Sequence, residues 1–230
     1  MPTSDNEFGP VGRLSKHPVD LLICFAVKEE AKFFLPRRSA NTCQIWVTGI
    51  GRKNAAESIR RAIESVKPER VITAGFAGGL NPEIKFGDIV YDEDFEAGFG
   101  EELEDLGAIP VKFHCSRRVA ITAEEKKELW KSTRADVVEM ESSVIRTICR
   151  EYKIPSATIR VISDDSTQDL PLDFNALMTS QDRINYLKLI WAVVSRPSRI
   201  PKLMQFQQHT IAAARRLGFV LEELLRAERC

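Results

Sequence analysis

The sequence predicts an α/β protein, with a largely parallel sheet flanked by helices and folded as one domain. Three observations carry that prediction. Apolar runs of strand length alternate with amphipathic helical stretches. The runs are continuous, as in strands buried on both faces. Several of them end in glycines or in polar clusters. Residues 1–18 are polar, with Pro, Gly and Ser, and read as a flexible leader before a domain covering 19–230.

Taken in order, residues 20–27 form the first apolar run and 28–35 a short helix. Residues 43–48 are a second strand, followed by a Gly49-Ile50-Gly51 turn. Residues 52–66 are helical, with Ala55, Ile59, Ala62 and Ile63 on one face. Residues 70–74 are a strand, closed by a glycine turn over 75–79, and 87–91 are another short strand. The acidic, Gly-containing stretch 92–106 gives no clear assignment, and 109–113 reads as extended. Thr122 with Glu125 three residues on is a capping-box pattern that opens a helix. Residues 137–140 are a short strand or turn leading into a helix over 141–152, and 156–162 are a strand ending at Ser163-Asp164-Asp165. The last third is helical, with an apolar stripe through Ile200, Leu203, Met204, Ile211, Leu217, Val220 and Leu224 that fits either the protein's own core or an interface.

Composition narrows the function classes. Lys plus Arg and Asp plus Glu number 33 each, so no strong pull toward nucleic acid is expected. The five cysteines are scattered without a C-x-x-C pair, which points to neither a zinc site nor a disulfide framework. No run approaches the length of a membrane span and no signal-peptide pattern opens the chain, so a cytoplasmic protein is expected. His114, inside an apolar stretch, reads as a structural histidine.

Ligands of α/β sheets sit beyond the carboxyl ends of the strands, where distant clusters converge. Glu30 lies at such an end, although a helix start favours a carboxylate on dipole grounds alone. Gly75, Gly78 and Gly79 let backbone approach an oxygen-rich ligand, but they form no dinucleotide or triphosphate motif. Glu139 and Glu141 flank Met140 where an apolar strand meets a helix; either carboxylate is suited to vicinal sugar hydroxyls, with Met140 against the sugar face, or both are first-turn acids. Asp164 ends an apolar strand, where scarce water favours a protonated carboxyl able to act as an acid; a turn or N-cap role is the alternative.

Six motifs in order resemble those of the methylthioadenosine/S-adenosylhomocysteine nucleosidases and their phosphorylase relatives. They are Ala26–Glu30, Thr48–Gly51, Gly75–Gly79, Gly87–Val90, Val138–Glu141 and Arg160–Asp164. The resemblance implies a three-layer α/β/α fold with a mixed, mostly parallel central sheet. It implies cleavage of the N-glycosidic bond of a purine nucleoside, with no metal and no cofactor. Residue by residue, it assigns Glu30 to activating the attacking water and Asp164, with Ser163 beside it, to protonating the base. It assigns Glu141 and Met140 to the ribose, and Gly75, Phe76, Ala77 and Gly78 to the pocket floor. A homodimer is also implied.

A glutamate at Glu30 suits water better than phosphate, so hydrolysis is favoured. Phosphorolysis, with phosphate as co-substrate gripped by Lys28, Arg52 or Lys53, is the alternative; a non-enzymatic nucleoside- or partner-binding protein is a third reading. The sequence departs from the nucleosidases in three places. Phe76 replaces a small hydroxyl residue. The stretch 91–137 is shorter by about one βα unit, on usual element sizes, which alters base recognition. The tail after Asp164 resembles the hopanoid-associated phosphorylase-like branch, whose implied substrate has a large apolar group on the 5′ carbon.

Overall fold

A computed structural model describes residues 8–34, 43–177, 179 and 200–227. Among these, nine strands form one sheet: β1 (Gly9–Pro10), β2 (Leu21–Phe25), β3 (Cys43–Val47), β4 (Arg70–Gly79), β5 (Ile89–Glu93), β6 (Ile109–Pro110), β7 (Phe113–Cys115), β8 (Val137–Glu139) and β9 (Ser156–Asp164). The order is β1-β3-β2-β4-β9-β5-β6, with β8 joining the end of β4 and β7 pairing with β8. The core β3-β2-β4-β9 is parallel, while β5 on β9, β8 on β4 and β1 on β3 are antiparallel. The sheet is therefore mixed and mostly parallel.

Strand alternation sends side chains to opposite faces and so builds two cores. On one face Leu21, Ile23 and Phe25 pack with Ile72, Ile159, Leu217 and Val220. On the other, Leu22 and Cys24 pack with Ala55, Ile59, Ile145 and Ile148. The first face is covered by α1 (Lys28–Ala31), α3 (Gly100–Asp105) and α7 (Ile200–Ala227), the second by α2 (Arg52–Val66) and α5 (Ser142–Glu151). Two further helices, α4 (Ala123–Thr133) and the short α6 (Phe174–Leu177), border the region beyond the strand ends.

Several elements differ from the sequence reading. The first helix stops at Ala31 rather than 35. Part of the expected leader is tied down, because β1 pairs with β3 and the Val11 amide donates to the Ile45 carbonyl at 3.0 Å. The unassigned acidic stretch holds a 3₁₀ turn (Phe95–Ala97) and α3. Arg146 of α5 pairs there with Asp92 and, at 2.9 Å, with Asp94. The apolar stripe of the last helix divides: Leu217, Val220 and Leu224 are buried in the protein's own core, while Met204 is exposed. Residues 180–199 of the expected helical last third lie outside the described residues.

The glycine turn expected over 75–79 is instead the second half of β4, a ten-residue strand. The glycines are needed there for close approach. A Cβ on Gly75 would stand 2.5 Å from Glu30 Oε1, and one on Gly78 would stand 3.2 Å from Asp164 Oδ2. A third close approach joins α7 to the turn after α1, where a Cβ on Gly218 would meet the Phe33 carbonyl oxygen at 2.5 Å. Gly218→Ala therefore overpacks a backbone contact and is expected to cost about 1–3 kcal/mol, read by chemical denaturation. An unchanged midpoint would mean that α7 shifts freely.

Candidate active site

The carboxyl ends of β2, β4 and β9, together with the end of β8, converge on a cavity of about 240 Å³. Nine of the ten residues singled out from the sequence line it: Glu30, Phe76, Ala77, Gly78, Glu139, Met140, Glu141, Ser163 and Asp164. Gly75 lies behind Glu30, as the clearance above requires. The rest of the wall is largely apolar, with Ile50, Val119, Leu170, Phe174 and Phe206. The Phe174 and Phe206 rings stand 5.7 Å apart.

Glu30 is placed by its own backbone surroundings. Its Oε2 accepts from the Ala26 and Val27 amides at 2.9 and 3.2 Å, and its Oε1 from the Phe76 amide at 2.9 Å. A carboxylate offers about four acceptor positions, so one remains for the cavity. Burial pushes the Glu30 carboxyl up from its ordinary value, opposed by Arg160 and the three amides. A carboxylate with raised proton affinity is a better base near neutrality.

The two other glutamates have different duties. Glu139 Oε2 accepts from the Glu141 and Ser142 amides and from Arg160 Nη2, and its Oε1 accepts from Ser142 Oγ. Burial works against its charge, yet Arg160, Ser142 and the Glu141 amide hold it below the usual glutamate range. Glu139 thus caps α5 and anchors Arg160. Glu141 Oε1 accepts from the Gly51 amide, 2.7 Å away. Burial first, and then the Glu139 charge, pushes its carboxyl up to about 8.

That shift has a consequence for stability. Between the ordinary glutamate value of 4.5 and about 8, the folded protein keeps a proton on Glu141 that the unfolded chain has released. Its contribution to stability is then lost as pH rises through that window. Glu141→Gln is expected to raise the melting temperature over wild type at pH 8.5 by more than at pH 5. Equal differences at both pH values would contradict the raised proton affinity.

Arg160, only 2 % exposed, is the counter-charge beneath these carboxylates. It donates to Thr73 through Nη1 (carbonyl, 2.7 Å) and Nη2 (hydroxyl, 3.1 Å), and to Glu139 at 3.0 Å. At the opposite wall, a register shift decides where Asp164 points. Ala77 pairs with Ile162, but Gly78 pairs with Asp164, so Ser163 is the extra residue of a bulge. Such a bulge re-aims the side chains after it. Asp164 Oδ1 accepts from Ser163 Oγ at 2.6 Å, and its Oδ2 contacts Lys126 Nζ at 2.6 Å.

Two larger grooves lack this convergence. One, of about 770 Å³, is polar and holds His114, Lys112 and Arg146; the other, of about 850 Å³, holds Thr167, Lys202 and His209. Lys28, Arg52 and Lys53 are exposed and line none of these three cavities.

The order of glycine, glutamate and aspartate motifs along this sheet is that of one known family, and a profile of the phosphorylase superfamily matches residues 6–103 and 91–195. The chain belongs to the phosphorylase superfamily. Within the superfamily it is similar to a 5′-methylthioadenosine/S-adenosylhomocysteine nucleosidase of Staphylococcus aureus, at 26% identity over 164 residues, covering 57% of this chain and 72% of that protein. Its fold is similar to the futalosine hydrolase of Helicobacter pylori, with a TM-score of 0.65, 15% identity, and coverage of 91% of this chain and 98% of that one. It is also similar to the Helicobacter pylori 5′-methylthioadenosine/S-adenosyl homocysteine nucleosidase, with a TM-score of 0.64, 14% identity, and coverage of 94% and 100%.

Within this superfamily fold, sequence reasoning overlooked two cations and one wall. Arg160 lay in a quoted motif without a role; its signal was an arginine inside an otherwise apolar strand. Lys126 lies on an outwardly polar helix, and no periodicity marks it. Leu170, Phe174 and Phe206 come from the tail, and only the fold brings them to the cavity. The stretch 91–137 supplies Arg118, Val119 and Ala120 to the wall. Among the described residues, no helix is long and apolar enough to cross a membrane.

Proposed function

We propose that this protein hydrolyses the N-glycosidic bond of a 5′-substituted adenosine. One observation carries the reading: two carboxyl groups on different strand ends, Glu30 and Asp164, line the same largely apolar cavity. Cleavage of this bond places positive charge on the sugar and negative charge on the departing base. Asp164 protonates the base, and Ser163 holds the other face of its carboxyl. Glu141 binds the ribose hydroxyls over Met140, and Glu30 takes a proton from the attacking water. Carboxylates aimed at a developing cation in a water-poor site stabilise the transition state more than they do in water. The phenylalanine pair Phe174 and Phe206, with Leu170, is the seat of an apolar 5′ substituent.

Phosphorolysis needs a cation where Glu30 stands, and Glu30 repels an anion. Arg118 is the guanidinium at the wall; its side chain is 66% exposed and paired with Glu125. The reading is tested by base release from adenosine, inosine, 5′-methylthioadenosine and S-adenosylhomocysteine, with and without phosphate. Release independent of phosphate is expected, fastest for a 5′-thioether. Release only with phosphate would make the protein a phosphorylase, and no release from any nucleoside would leave a binding protein. The reading also carries a cytoplasmic location and a homodimer; sedimentation equilibrium tests the dimer.

A further inference from the structure

Lys126 is fully buried on α4, and its ammonium has three partners: Asp164 Oδ2 at 2.6 Å, the Asp165 carbonyl at 2.7 Å and the Gln168 carbonyl at 2.8 Å. An ammonium has three donors; two of them go to these carbonyls, and Asp164 Oδ2 lies beside it as an ion-pair partner. Two of the acceptors belong to the turn that follows β9, so one side chain fixes both the Asp164 carboxyl and the backbone beyond it. Burying such a pair carries a desolvation penalty that an apolar pair of similar volume would avoid. Stability alone is thus a poor reason for a lysine at this position, and its location against the reacting acid is a better one.

We propose that Lys126 is a positioning residue for glycosidic cleavage, the buried cation that holds Asp164 and receives the charge left on it. The inference rests on the hydrolytic reading above. When the C1′–N9 bond breaks, its electron pair goes to the base, and the Asp164 proton moves to the base nitrogen facing it. Water adds to C1′ and gives its proton to Glu30. The products are the free base and the sugar, and exchange with solvent returns the proton from Glu30 to Asp164. The step leaves Asp164 anionic, with Lys126 Nζ in direct contact. Ser163 Oγ, which reaches both the Ala77 carbonyl (3.4 Å) and Asp164 Oδ1, is free to accept from a protonated Asp164.

The test uses the full chain with Lys126→Met, Lys126→Gln and Lys126→Arg, each first checked for a cooperative melt. Two substrates are compared, 5′-methylthioadenosine and a 4-nitrophenyl riboside with the same 5′ group, whose leaving group departs as a stable anion and needs no proton. Lys126→Met and Lys126→Gln are expected to lower kcat on the nucleoside by about 10²-fold with little change in KM. Lys126→Arg is expected to recover much of that loss. Turnover of the aryl riboside is expected to change by no more than about threefold. Equal losses on both substrates, a loss confined to KM, or no rescue by arginine would make Lys126 a structural ion pair only. Absence of turnover by the wild-type protein on either substrate would overturn the hydrolytic reading, and this inference with it.

Discussion

Asp164→Asn is expected to slow base release from a nucleoside by about 10²–10⁴-fold, the usual worth of general acid catalysis. The amide matches the carboxyl in shape but has no acidic proton to give to the leaving base. The substitution also removes the anion beside Lys126, and breaking a buried pair is costly because it strands a charge. Here the ammonium keeps the Asp165 and Gln168 carbonyls, and the asparagine oxygen stands beside it in place of the carboxylate. The fold is therefore expected to survive with a lowered melting temperature. Steady-state kinetics with a thermal melt on the same preparation separates the two effects. Near wild-type turnover in a folded variant would remove Asp164 from the chemistry.

Arg160→Met is expected to have the largest effect on stability. The guanidinium is the partner of Glu139 at 3.0 Å and opposes the repulsion among Glu30, Glu139 and Glu141. Removing it leaves Glu139, whose side chain is 1% exposed, without its counter-charge. A buried pair broken from one side costs about 3–5 kcal/mol, and a protein of this size loses about 2–4 °C of melting temperature per kcal/mol. A drop of roughly 10 °C follows from those two figures. Adding Glu139→Gln to Arg160→Met removes the stranded charge and is expected to recover part of the loss. An unchanged melting temperature in the single variant would show that the three carboxylates do not depend on Arg160.

Much of this arrangement was legible from residue patterns. The continuous apolar runs gave β2, β3, β4 and β9, and α2 occupies the span that its amphipathic face predicts. The Thr122–Glu125 capping box forms as expected, with Thr122 Oγ1 accepting from the Glu125 amide at 3.1 Å. The polar clusters at the strand ends do converge, because a parallel sheet brings its carboxyl ends to one edge. The glycines of β4 were misread as a turn. Glycine serves turns and close approaches alike, and only the positions of Glu30 and Asp164 show which is needed. The bulge at Ser163 and the reach of Lys126 to Asp164 depend on register and on tertiary distance, which one sequence does not encode in any local pattern. The Phe174–Phe206 wall is invisible for the same reason, since its two rings lie 32 residues apart on separate helices.

The central claim is that Glu30 and Asp164 split an N-glycosidic bond with water across this cavity. Its most direct test is turnover of 5′-methylthioadenosine in ¹⁸O-labelled water containing phosphate, with mass analysis of the sugar product. Free sugar labelled at C1′ is expected from the wild-type protein, and a strongly reduced yield of it from Glu30→Gln. A sugar 1-phosphate without label, or labelled sugar formed equally fast by Glu30→Gln, would contradict it.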